Sequence, residues 1–342
     1  MDRLVIDLLV AGGGPIGLST ALYASRAGLS VTVVEPRASP IDKACGEGIM
    51  PGAVGGLREL GITLEGRAFR GIRYTDGRRS VTADFPNGPG LGVRRTTLHA
   101  ALSEQVADRG ITVLAASVER VETDGRSVTA AGVQARYLAA ADGLHSPVRR
   151  MLGLDRRVTG TARYGLRRHF AISPWSDHVE VYWSPGKEAY VTPLGDHLVG
   201  VAVLTSERAP FDEQLQSFPS LLPRLPISAS TAVRGAGPLR QASARRVDGR
   251  VLLVGDAAGY VDALTGEGIA VGLACARALV SCVAADRPGA YEREWLAASR
   301  RYRWLTSSLL WARNQPSLAR AIVPAAERLP GVFRAAVGQL SR

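Results

Sequence analysis

Residues 8–35 read LLVAGGGPIGLSTALYASRAGLSVTVVE, and this stretch decides the fold. The apolar run DRLVIDLLV ends in glycines, PIGLSTALYASRAG carries a helical pattern closed by Gly28, and LSVTVVE supplies a second strand. Strand, tight turn, helix and strand form the context in which GxGxxG marks a dinucleotide site. Gly12 permits the turn, Gly14 lets a pyrophosphate approach the backbone, and Gly17 allows close helix packing. The helix start offers amides and a positive dipole end to phosphate. Glu35 closes the second strand, 23 residues after Gly12. A carboxylate there accepts from ribose hydroxyls and repels a 2′-phosphate, so the expected ligand is FAD or NAD rather than NADP. Arg37, just beyond, is expected over the adenine or on the surface.

The rest of the chain bounds the problem. With 342 residues it can bury a large core, read here as two closely packed domains. No run of eighteen apolar residues suggests a membrane span, and with the first strand starting so early no signal peptide is expected. The three cysteines, Cys45, Cys275 and Cys282, suggest a reducing compartment without disulfides, and a cytoplasmic protein is expected. Cys275 and Cys282 lie in AVGLACARALVSCVAA and read as core residues of one helix. The net charge of +11 is carried by arginine, since Lys43 and Lys187 are the only lysines. From residue 290 onward nine arginines face three glutamates. Without a concentrated basic run this tail reads as a solvated face rather than a nucleic-acid site, with peripheral contact to anionic lipid left open. His145 and His169 lack metal-ligand spacing and no compact acidic cluster appears, so no metal is expected.

Two further motifs narrow the ligand. Residues 137–153 read YLAAADGLHSPVRRMLG, and residues 251–279 read VLLVGDAAGYVDALTGEGIAVGLACARAL. Together with the first glycine motif they resemble the DG and GD motifs of the flavoprotein monooxygenase superfamily, which includes the p-hydroxybenzoate hydroxylases and the geranylgeranyl reductases. The resemblance implies FAD. It places Asp142 and Gly143 beside the cofactor, with Ser146 and Arg149 tying down the loop and helix that follow. Gly255 and Asp256 would meet the ribityl chain, and Arg95, from RTTL, would also contact the cofactor. Gly266 and Gly268 would present amides to the N1/O2 edge of the flavin. The segment KACGEG, residues 43–48, would return toward the isoalloxazine ring, with Lys43 as a phosphate or flavin-side contact. Cys45 there would tune the flavin, sense redox state or fill space.

The fold class that follows is α/β: a glutathione-reductase-like Rossmann FAD-binding domain with an inserted, mostly antiparallel substrate domain and a helical C-terminus. The expected FAD-binding domain comprises 1–65, 93–155 and 245–290, the substrate sheet 66–92 and 156–244, and the terminal helices 291–342. Tyr182, Trp183, Tyr190 and Thr192 are candidate substrate neighbours. The tail should break at Pro316, Pro324 and Pro330, and Trp295, Trp304 and Trp311 could pack over the FAD domain.

The resemblance leaves the reaction open. The favoured expectation is hydroxylation of an aromatic or polyketide-like molecule through a flavin C4a-hydroperoxide. The alternative is an ene-reductase of the geranylgeranyl reductase type, which KACGEG and DAAGYVDALTGEGI resemble, or a dehydrogenase. Against the reductase, AYVTPLG keeps only a tyrosine and a proline of the Y-x-W-x-F-P pattern, and Ala263 replaces a common proline. A halogenase lacks its G-W-x-W-x-I-P motif, and a non-catalytic FAD-binding protein is the distant alternative. No second GxGxxG marks a nicotinamide domain, so electrons would come from NADPH or NADH docking transiently or from a separate reductase. A monomer or homodimer is expected.

Overall fold

The computed structural model describes residues 5–341. The opening apolar run forms strand Ile6–Ala11, which lies inside a parallel core because Leu8, Leu9 and Val10 are wholly buried. It pairs in parallel with Val31–Val34 on one side and Val133–Ala140 on the other. Thr112–Leu114 and Val251–Leu253 extend the two wings, also in parallel. A sheet buried on both faces requires near-continuous apolar strands, as VTVV and VLL are. The antiparallel hairpin of Val121–Thr123 and Val128–Ala130 is appended to Val133–Ala140.

Helices cover this sheet and connect it to the rest. In chain order they are α1 (Pro15–Arg26), α2 (Pro51–Glu59), α3 (Arg95–Asp108), α4 (Pro147–Met151), α5 (Phe211–Leu215), α6 (Gly268–Ala284), α7 (Tyr291–Asn314), α8 (Pro316–Arg328) and α9 (Pro330–Leu340). Proline opens α1, α2, α4, α8 and α9, where its missing N–H costs nothing and its fixed φ suits the first turn. Helix α1 packs on α6 and α3, and α6 also packs on α7. Cys275 and Cys282 are buried on α6, as expected.

A second, seven-stranded sheet is separate from the parallel one. Its order is Arg234–Ala236, Tyr164–Phe170, Leu198–Thr205, Lys187–Gly195, Val179–Ser184, Gly71–Thr75 and Ser80–Asp84. All neighbours are antiparallel except Val179–Ser184 with Gly71–Thr75. Alternation along a strand sorts its side chains between two faces. Val179, Val181 and Trp183 join one core with Leu264 and Leu310, and the register sets Glu188 and Tyr190 beside them. Tyr182 points the other way, into a second core with Phe170, Phe211 and Leu215. Its expected place beside a substrate is therefore corrected: it shares parity with Glu180, to which its hydroxyl donates at 2.7 Å.

The C-terminal helices also differ from expectation. Pro324 does not break α8, whose backbone continues until Leu329 N donates to Ala325 O. A proline forfeits its own N–H bond, and this exposed helix tolerates that loss. Trp295 is 5% exposed, but Trp304 and Trp311 are 67% and 62% exposed. Nine residues along a helix is half a turn out of phase, so Trp295 and Trp304 cannot share a face, whereas seven keeps Trp304 and Trp311 together. Helices α8 and α9 lie against the Ser80–Asp84 edge strand, with Phe333 4.9 Å from Tyr74 between ring centroids.

Candidate active site

The nucleotide end is built from backbone and glycine. Gly12 sits at φ +103°, and a Cβ there would stand 2.6 Å from Ala141 O. A Cβ on Gly17 would stand 1.8 Å from Gly12 O, so this position can hold only glycine if helix and strand keep their distance. Gly14 caps α1, and the nearest group to its open side is the Arg95 guanidinium at 3.9 Å. The α1 amides and Arg95 thus converge on one point, suited to a pyrophosphate. His99, overlooked in the sequence, braces the turn through Nε2 at 2.8 Å from Gly13 O.

Glu35 accepts from Gly13 N at 2.8 Å and is clasped by Arg37, whose Nε and Nη2 lie at 2.7 and 3.0 Å. Burial works to raise the Glu35 carboxyl, but the hydrogen bonds from Arg37 and the Gly13 amide hold it below the ordinary range. A ribose taking up this carboxylate would have to displace the Arg37 side chain, which is largely exposed and able to swing.

The DG and GD segments meet in space. Asp142 accepts from Val148 N at 2.9 Å, and Gly143 turns at φ +86°. Burial pushes the Asp142 carboxyl up, and its Oδ1 is buried without a partner. Ser146 caps α4 by accepting from Arg149 N. Arg149 is 1% exposed and binds the two motifs together: it donates to Leu144 O at 3.1 Å, to Ala257 O at 2.9 Å and to Asp155 at 2.5 Å. Gly255 adopts φ +63° against Ile16 of α1. The Asp256 carboxylate makes no hydrogen bond or ion pair among the described residues. Orphaned Asp142 Oδ1, orphaned Arg95 Nε and unpartnered Asp256 are a donor and two acceptors left for a ligand, and together with the glycine cradle they fit FAD.

The loop between Asp256 and α6 is held by side chains from distant segments. Arg163 donates to Asp262 at 2.9 Å and to Glu188 at 2.7 Å, and Arg313 of α7 donates to Glu188 at 2.6 Å. All four groups are buried, in alternating charge. Such a chain adds little net stability but fixes one geometry, since each member would be left unpaired in any other. Tyr302 donates to Asp262 O and Tyr190 to Leu264 O, each at 2.9 Å. Thr265 meets Thr306 at 2.9 Å, and Arg301 reaches Glu267 at 3.4 Å. Ala263 therefore needs no proline to define the turn. Gly266, at φ +69°, passes under Met50 and gives its amide to Ala263 O at 3.1 Å, so the expected amide donor at the flavin edge is corrected to Gly268, which opens α6.

The KACGEG loop is anchored in the same manner. Glu47, at φ +60°, accepts from Arg95 N at 2.9 Å and meets His169 Nε2 at 2.6 Å. Arg167 lies 3.2 Å from His169 Nδ1 and also pairs with Asp42. Thr192 donates to Gly46 O at 2.8 Å. Cys45 Sγ accepts from Glu47 N at 3.4 Å, and burial pushes its thiol up, so it stays protonated at neutral pH. Lys43 lines an open cavity of about 710 Å³ with Asp142, His145, Tyr164 and Arg208.

Of the four candidate substrate neighbours, Tyr190 and Thr192 thus brace loops, Trp183 lies on the same sheet face within the apolar core, and Tyr182 lies on the other. Glu47, His169, Arg163, Glu188, Asp262 and Arg313 were not foreseen. The available signal was charge in apolar strands, as in YGLRRHF and KEAYV, because a buried charge requires a partner. Among the described residues no cluster could hold a metal ion.

Residues 5–304 match the family model described as FAD binding domain. The menaquinone reductase of Mycobacterium tuberculosis is 33% identical over 308 residues, spanning 79% of this chain and 74% of that protein. The digeranylgeranylglycerophospholipid reductase 1 of Methanothermobacter thermautotrophicus is 28% identical over 332 residues, spanning 84% and 81%. Among solved structures, a flavoprotein/dehydrogenase from Cytophaga hutchinsonii superposes with a TM-score of 0.86 at 18% identity, covering 98% of this chain and 92% of the other. With its three FAD motifs brought together in this fold, the chain belongs to the FAD-binding-domain family and is an FAD-dependent oxidoreductase.

Proposed function

We propose that this oxidoreductase reduces a carbon–carbon double bond in an isoprenoid-bearing small molecule. The observation that carries the reading is the 33% identity, over 79% of the chain, to a protein named for menaquinone reduction. Similarity to digeranylgeranylglycerophospholipid reductases points the same way. Hydroxylation, the expectation first favoured from the motifs, has support only from the shared fold, and the reductase alternative is preferred.

The chemistry supplied by FAD, when bound, would be transfer of an electron pair with one proton to the alkene, the pair originating from NADPH, NADH or a partner reductase. The chain's own residues bind, orient and supply protons. Glu35 would hold the ribose, Arg95 and the α1 amides the pyrophosphate, and Asp256 the ribityl chain. The Gly268 amides and dipole end of α6 would steady charge at the flavin edge. Saturating a double bond consumes two electrons and two protons. One proton would come with the electron pair and the other from the neutral Cys45 thiol, in the loop read as flavin-facing, which would recover it from solvent.

The test is anaerobic mixing of reduced holoenzyme with a prenylated quinone and with a prenyl lipid. Flavin reoxidation with product carrying two additional hydrogens supports the reading. Reoxidation that needs oxygen and inserts an oxygen atom overturns it. Cys45→Ala should retain FAD but lower kcat about 10²-fold or more, the low end of general acid–base catalysis. Because the thiol's value is raised, wild-type turnover relying on it should persist through neutral pH and fall only above the ordinary thiol range; Cys45→Ala should lack that alkaline limb.

A further inference from the structure

Helix α7 has two unlike faces. Its buried stripe, Trp295, Ser299, Tyr302, Thr306, Leu310 and Arg313, faces the protein, and three of these residues brace the flavin loop and its ion-pair chain. Its outer stripe carries Leu296, Arg300, Trp304, Ser308 and Trp311, all exposed. Two tryptophans more than three-fifths exposed on one helix face leave large apolar surface in water. The charge beside them is cationic. Arg300 has no carboxylate partner among the described residues. The helix's two glutamates are already engaged, Glu292 by Arg246 and Glu294 by Arg293.

We propose that this outer face of α7 docks the protein onto an anionic lipid surface. Exposed tryptophan beside arginine on an amphipathic helix is the chemistry of the headgroup boundary: the ring seats at the interface while the guanidinium meets phosphate. No helix among the described residues is long and apolar enough to cross a membrane, so the contact is peripheral. The helix is about 10 Å across, so its two faces place the lipid boundary one helix width from the Asp262–Glu267 loop. A long-chain substrate leaving the bilayer would then travel a short path to the flavin. That use of the face rests on the reductase reading; the docking itself does not.

The experiment is co-sedimentation of full-chain holoprotein with vesicles of phosphatidylcholine alone or mixed with phosphatidylglycerol. The wild type should bind the anionic vesicles, and less so as salt rises. Trp304→Ser with Trp311→Ser should weaken that binding at least tenfold while leaving FAD content and melting temperature unchanged. Arg300→Glu should weaken it by about fivefold or more, the effect of one juxtamembrane charge. Absence of binding to anionic vesicles, or binding indifferent to the double substitution, overturns the proposal. So does a wild-type dimer that the double substitution turns into monomer without any vesicle binding, which would give the face to a second copy of the chain. Vesicle binding needs no substrate, and alkene reduction in detergent needs no vesicle, so failure of docking and failure of the reductase reading are separable.

Discussion

The two ends of the cofactor site are made by different means. The nucleotide end rests on glycines, helix amides and one strand-end carboxylate within thirty residues of Gly12, to which α3 adds Arg95 and His99. The loop before α6, proposed to face the flavin, uses side chains drawn from residues 163, 188, 262 and 313, joined by buried ion pairs. Backbone-built sites tolerate almost no added atom but depend on few partners. Side-chain-built sites accept local variation, as Ala263 shows, yet fail when one distant member is lost.

Substitutions at each end should expose that contrast. The largest effect is expected from Glu188→Ala, which leaves Arg163 and Arg313 buried with only Asp262 between them. Breaking one partner from such a set costs about 3–5 kcal/mol. Differential scanning calorimetry should show a fall in Tm, with the flavin spectrum shifting toward that of the free cofactor. A variant melting like the wild type would mean that the chain of ion pairs does not hold the loop. Next comes Gly17→Ala, whose methyl would meet Gly12 O. Overpacking of this kind costs about 1–3 kcal/mol, and here the displaced group is the phosphate turn itself. The purified protein should be largely free of FAD although still folded by circular dichroism. Stoichiometric FAD would show that α1 can move away from the sheet without harm.

The smallest effect is one of pH. The folded Asp142 carboxyl is raised by burial, so the folded state favours its protonated form. That contribution to stability is fully present below the unfolded value and is lost as pH rises through the folded one. Asp142→Asn should therefore melt slightly above the wild type at neutral pH in the apo form, and the gap should close as the medium becomes acidic. Melting curves across pH 3 to 8 would check the sign, and a gap that widens toward acid would refute it.

The same contrast explains what could be read in advance. LLVAGGGPIG, ADGLHSPVR and VLLVGDAAG each specify a local backbone path, and the structure joins all three around one cradle. Strand alternation over residues 160–240 reads as one run of antiparallel strands. The sheet holds to Thr205, but helix α5 and loops intervene before Arg234–Ala236 rejoins its edge. Parity alone separates Tyr182 from Tyr190, and it depends on a register that a single strand leaves open. Arg313 lies 125 residues from its partner Glu188, and no local pattern links the two. The exposed Trp304 was misjudged for a simpler reason: its nine-residue spacing from Trp295 is a change of face.

Arg149 gives these distances a temporal meaning. Its guanidinium is made in the first half of the chain but waits for Ala257 O, and the loop beyond waits in turn for Arg313. A ribosome adds roughly 5–20 residues each second, and the nascent chain folds from its N-terminal end. The turn at Gly12 can thus form seconds before the other wall of its pocket exists. Loading with FAD is therefore expected late in the protein's biosynthesis, and a chain stalled before α7 emerges is expected to carry all three glycine motifs and still fail to keep its cofactor.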